Sequence, residues 1–130
     1  MRVVFDGGLL ETVGPKETAR VLVMLLRALV ECNLDYLRKH PRTPHPYEAG
    51  IRYEREHGSE IWKSIPKILQ DGGGDCEDLS AYLAAYLSFH GVKPVRLAVR
   101  WRAITNRSRL YHVLVKGPEG YEDPSKKLGM

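Results

Sequence analysis

The chain has 130 residues, enough for one domain, residues 1–130, with a single real core. A hydrophobic content of 43% is near the globular norm and argues against disorder for most of the chain, and a net charge of +4 is modest. The most apolar run, residues 21–30, is broken by Arg27 and flanked by Arg20 and Glu31, so it is too short and too charged to span a membrane. The opening Met1-Arg2-Val3-Val4-Phe5-Asp6 carries no secretory pattern, and two cysteines without one point to free thiols in a reducing, cytoplasmic setting. A Cys32–Cys76 disulfide is the competing reading. It is set aside because Cys32 falls inside a hydrophobic helix, where it reads as a small core residue.

Residues 2–13, around Asp6-Gly7-Gly8, read as a short hairpin or an extended lead-in. Gly14-Pro15 opens a long helix that runs to about His40 and stops before Pro41. Leu22, Leu25, Leu26, Leu29 and Leu37 form its apolar stripe, with Arg27, Glu31, Asp35 and Arg38 on the wet side. Residues 41–46 are a proline-rich loop, and the polar stretch 47–57 is a short helix or a loop over the site. Ile61, Trp62, Ile65, Ile68 and Leu69 supply apolar anchors before a glycine turn at 72–74.

Asp75 is an N-cap with Asp78 as its capping-box partner, and the helix they open runs from Cys76 to about His90, ending at Gly91. Leu79, Tyr82, Leu83, Tyr86 and Leu87 make its apolar face. Residues 95–102 alternate with period two, as a half-exposed strand does. The alternation sends Arg96, Arg100 and Arg102 to solvent, with Val95, Leu97, Val99 and Trp101 packed on Leu79, Leu83 and Tyr86. A second strand at 110–116, a turn at 117–120 and a third strand from Tyr121 complete an α+β domain. Residues 93–116 hold seven cations and no acid, which reads as a solvated sheet face away from the thiol. Trp101 alone is too little aromatic surface to argue for nucleic acid as a partner.

Three residues carry the chemistry. Cys76 begins a helix, where unpaired N–H groups and the helix dipole favour a thiolate. His112 lies on a strand and is a candidate general base and acid; Asp123 follows a turn and is a candidate to orient the imidazole. Cys-His-Asp in this order is a nucleophile arrangement. Asp75, Glu77 and Asp78 oppose thiolate formation wherever they face the sulfur. Donors for an oxyanion are the Cys76 N–H, the Gln70 amide and the Trp62 indole, and the glycines leave space for a substrate backbone. His40, His45, His57 and His90 show no metal-ligand spacing with the cysteines, so no metal or other cofactor is expected.

The stretch Gly74-Asp75-Cys76-Glu77-Asp78-Leu79-Ser80-Ala81-Tyr82-Leu83, followed by Gly91-Val92-Lys93-Pro94-Val95, resembles the catalytic helix of the transglutaminase-like superfamily. The His112 strand and Asp123-Pro124-Ser125 resemble it too, and the likeness covers roughly residues 60–126. The resemblance implies a papain-like fold, with N-terminal helices and the Cys-bearing helix packed on a small antiparallel sheet. It implies Cys76 as nucleophile, His112 as base and Asp123 as orienting acid. Val113-Leu114 stands where the family often has Ala-Trp, and the chain is shorter than animal transglutaminases. The C-terminal segment and residues 50–56 look similar to small bacteriophage-encoded members, which implies a phage-infected bacterium or the virion as the setting.

Two functional classes follow. The first is a thiol-dependent amide hydrolase or acyl transferase, acting on a protein or peptide amide through a thioester. Water as acceptor, the favoured case, gives a peptidase or deamidase; an amine gives a transamidase. The second is a binding or assembly module, such as a phage structural or accessory protein, that keeps the fold without the chemistry.

Overall fold

The computed structural model describes residues 14–55, 61–105 and 109–130. The hairpin expected over residues 2–13 lies outside them, as do His57 and Arg107.

Helix α1 (Pro15–Lys39) starts with proline at its first position, where the missing N–H costs no hydrogen bond, and it ends at His40, before Pro41. A 3-10 turn (Pro46–Glu48) leads to the two-residue strand β1 (Arg52–Tyr53). Then come α2 (Ile65–Asp71), the short β2 (Gly73–Gly74) and α3 (Cys76–Phe89). Strands β3 (Arg96–Ala103), β4 (Arg109–Gly117) and β5 (Gly120–Glu122) follow, and α4 (Pro124–Lys127) closes the order. Strands β1 and β2 pair in parallel, while β3, β4 and β5 form an antiparallel sheet in chain order. The molecule is therefore a mixed α+β fold, as the order of patterns along the chain indicated. No helix among the described residues is long and apolar enough to cross a membrane.

On α1, Leu26 and Leu37 are fully buried, and Arg27, Glu31, Asp35 and Arg38 are exposed as the stripe predicts. Cys32 departs from expectation: it is exposed, not a core residue. Its neighbour Asn33 faces inward instead, because residues 26, 33 and 37 fall on one line of a 3.6-residue helix and residue 32 is turned about 100° off that line. Asn33 has a task there. Its Oδ1 accepts the first N–H of α2, that of Ile65, at 2.9 Å, where the N-cap Ser64 offers no side-chain bond.

Helix α3 is the centre of the molecule. From Cys76 to Ala85 every residue except Glu77 is buried. One side meets Leu26, Leu97, Val113 and Val115 through Cys76, Leu83 and Ala84. The other meets Leu37, Ile51, Ile65 and Ile68 through Leu79, Tyr82 and Ala85. The Tyr82 hydroxyl donates to the Pro44 carbonyl at 2.6 Å and ties the proline loop down. The expected single face is thus corrected. Leu83 packs on the sheet, but Leu79 and Tyr86 belong to the second cluster, because a helix covered on all sides has more than one apolar face. Trp101 is also not in the core. It is 43% exposed near the far end of β3, where the Arg109 guanidinium lies 5.7 Å from its ring centroid.

Arg96, Arg100 and Arg102 are exposed on one sheet face, as alternation requires. That face is not remote from the candidate site, however, since Arg100 is paired in register with His112.

Candidate active site

The glycine turn is built for the protein's own packing. Gly72 adopts φ 80° and ends α2 in the left-handed conformation that glycine takes without strain. A Cβ on Gly73 would collide with the Arg52 carbonyl of the paired strand, and one on Gly74 would lie 2.8 Å from the Asp78 Cβ. Gly73 and Gly74 are buried, so the space expected for a substrate backbone is filled by β1 and by Asp78.

This packing delivers the chain to a full capping box. The Asp78 N–H donates to Asp75 Oδ1 at 3.3 Å, and the Asp75 N–H donates to Asp78 Oδ2 at 3.2 Å. Asp78 Oδ1 also accepts the Lys63 N–H at 2.7 Å, which anchors the segment before α2. Burial, and after it the charge of Asp75, pushes the Asp78 carboxyl up to about 8.

Cys76 is the first residue of α3 and is 8% exposed. Its sulfur takes a main-chain hydrogen bond from Val113. One helical turn on, Ser80 Oγ donates to the Val113 carbonyl at 3.0 Å. The two contacts have one cause. Strand β5 pairs with β4 only from Val115 onward, and residues 113 and 115 turn their peptide groups to the same edge. The edge that β5 leaves uncovered at Val113 is filled by the start of α3, through two side chains four residues apart. The Cys76 sulfur therefore sits at the peptide that joins His112 to Val113.

His112 Nε2 and Asp123 Oδ2 are 2.8 Å apart, with both side chains mostly covered. Asp123 also caps α4, its Oδ1 accepting the Lys126 N–H at 3.3 Å. One oxygen is held by the backbone and the other by the imidazole, so a fixed carboxylate orients the ring through Nε2, and Nδ1 takes no part in that contact.

The electrostatics at the sulfur run against the sequence-based expectation. Burial, followed by the charge of Glu77, pushes the Cys76 thiol well above its ordinary range, and the Val113 hydrogen bond opposes this only in part. The helix start does not yield a resting thiolate, because the site is dry and acid-flanked.

Of the expected oxyanion donors, Trp62 is half-buried against the cluster that contains Cys76, whereas Gln70 is exposed on the last turn of α2. Sequence reasoning missed Tyr53. It pairs in register with Gly74, and its phenol is pushed up chiefly by burial, close to Cys76 and Asp75. Nothing in the polar stretch 47–57 signalled a strand, so nothing pointed to this residue. Among the described residues no three His, Cys, Asp or Glu side chains come together as a metal site. His40 stacks on Tyr36, His90 lies tilted against Tyr86, and His45 caps the 3-10 turn through Nδ1 at 3.1 Å from the Tyr47 N–H.

No protein-family model, curated protein or solved structure matches the chain.

Proposed function

We propose that the protein is a thiol-dependent amide hydrolase or acyl transferase of a papain-like, transglutaminase-like type. The observation that carries this reading is the 2.8 Å His112–Asp123 pair on the strand whose next peptide holds the Cys76 sulfur. The resting thiol is neutral, so attack is coupled to deprotonation. His112 Nδ1 takes the thiol proton as sulfur bonds to the amide carbon, and the carbonyl becomes an oxyanion. Collapse breaks the C–N bond, the imidazolium gives its proton to the leaving amine, and a thioester remains on Cys76. Water, deprotonated by His112, then releases the acid and regenerates the thiol; an amine in its place gives a new amide. Asp123 holds the ring in the tautomer that both steps need. The Cys76 N–H and the Trp62 indole, which packs against the Cys76 cluster, are the candidate donors to the oxyanion. The substrate is a protein or peptide amide, and the resemblance to small phage-encoded members argues for the cytoplasm of a bacterial or phage-infected cell.

The high resting pKa of the buried thiol favours a second reading, a binding or assembly module that retains the arrangement without turnover. Mass spectrometry of the intact protein after mixing with peptide p-nitroanilides separates the two. The enzyme reading expects an acyl adduct on Cys76 and release of nitroaniline, with neither in Cys76→Ala and both in Cys32→Ala. Undiminished release by folded Cys76→Ala would sink the thioester mechanism. Absence of any adduct on the folded wild-type chain across a broad peptide set leaves the module reading.

A further inference from the structure

We propose that the arginine-bearing face of the β3–β4–β5 sheet beside His112 binds an acidic substrate, a peptide amide with a carboxylate next to the bond acted on. This rests on the reading of Cys76, His112 and Asp123 as amide chemistry. Residues directly opposed in an antiparallel pair share a face, with Cβ atoms about 4.5–5.5 Å apart. Arg100 opposes His112, and Arg96 opposes Lys116, which in turn opposes Tyr121. Arg96, Arg100, His112, Lys116 and Tyr121 thus form one surface.

Tyr121 organises the cations on it. The Arg100 guanidinium lies 4.8 Å from the ring centroid and the Lys116 ammonium 5.1 Å from the same ring. Contact with a ring face uses none of their N–H groups as hydrogen-bond donors, so these are left for a ligand. No described carboxylate pairs with Arg96, Arg100 or Lys116. The three strands carry only one acid, Glu122, which opposes Val115 on the other face and is held by the Tyr47 hydroxyl at 2.8 Å and Lys127 at 3.2 Å. Asp123 is committed to His112 and to the α4 cap.

A substrate carboxylate on this face pairs with the Arg100 guanidinium and so holds the neighbouring amide bond beside His112. The cations in register with His112 therefore select an acidic neighbour on the substrate. A phosphate polymer offers the same charge but no amide, so the position of the cations at the candidate acid–base pair favours the peptide.

The test uses three peptide amides that differ only in glutamate, glutamine or lysine beside the scissile amide. The glutamate peptide is expected to have the highest kcat/KM, with the ratio to glutamine falling about two- to five-fold for Arg100→Gln and again for Lys116→Gln. Arg38→Gln on α1 serves as a control and keeps the ratio. Turnover with equal kcat/KM for all three peptides overturns the proposal while leaving the enzyme reading intact. A second readout is independent of turnover: fluorescence anisotropy of the labelled glutamate peptide on the Cys76→Ala protein. Binding that is lost in Cys76→Ala/Arg100→Gln/Lys116→Gln, with no turnover in the wild type, supports the acidic-peptide surface and removes the chemistry. Tighter binding of a single-stranded oligonucleotide of equal charge overturns the peptide assignment.

Discussion

At the scale of single residues, the two cysteines have exchanged the properties that their sequence context suggested. Cys32, in an apolar run, is exposed; Cys76, at a helix start, is buried and protonated at neutral pH. Iodoacetamide at pH 7.5 is therefore expected to label Cys32 first in the folded protein, and tryptic mapping reads the order. The Glu77 charge is, after burial, the main influence raising the Cys76 thiol. Glu77→Gln removes a negative charge and should speed Cys76 labelling by about three-fold, the scale of a partly exposed charge interaction. An unchanged rate would mean that the carboxylate does not act on the sulfur.

At the scale of elements, the approach to α3 depends on two close contacts and a cap. Gly74 lies against Asp78, so a methyl group there pushes on a side chain that already serves the Asp75 cap and the Lys63 N–H. Gly74→Ala should cost about 1–3 kcal/mol, the usual range for overpacking. Gly117, at the end of β4, has open space where a Cβ would go, and Gly117→Ala should stay within about 0.5 kcal/mol. Urea unfolding of both variants compares them; equal midpoints would show that the glycine turn tolerates a side chain. The capping box was legible in the sequence because caps are set by residues three apart. The role of Gly73 was not, because its neighbour Arg52 comes from another part of the chain.

For the whole molecule, the buried Asp78 makes stability depend on pH. Its carboxyl titrates near 8 in the folded state against an ordinary value of about 4 when unfolded. The folded protein therefore holds a proton that the unfolded chain has released. This contribution is fully present below about pH 4 and is lost as pH rises through the folded value. Wild type should lose stability relative to Asp78→Asn between pH 5 and pH 8, as measured by urea unfolding at each pH. Parallel pH profiles for the two proteins would show that Asp78 ionises without resistance in the folded state. The global consequence is apt, since α3 is buried nearly all round and Asp78 sits fully inside it.

What the sequence determined by itself was local. The limits of α1 and α3, the alternation of β3 and the succession of helices and then strands follow from proline positions, caps and periodicity, all of which act within a few residues. The candidate triad was legible for the same reason, as a thiol at a cap, a histidine on a strand and an aspartate before proline. Only the tertiary structure decided which side of each element is covered. It turned Asn33 inward in place of Cys32 because α2 needed an acceptor from α1, and it buried Cys76 because β5 stops at Val115 and leaves the Val113 peptide to α3. It also set Arg100 opposite His112, since strand register is fixed by pairing across the sheet and not by the pattern within one strand.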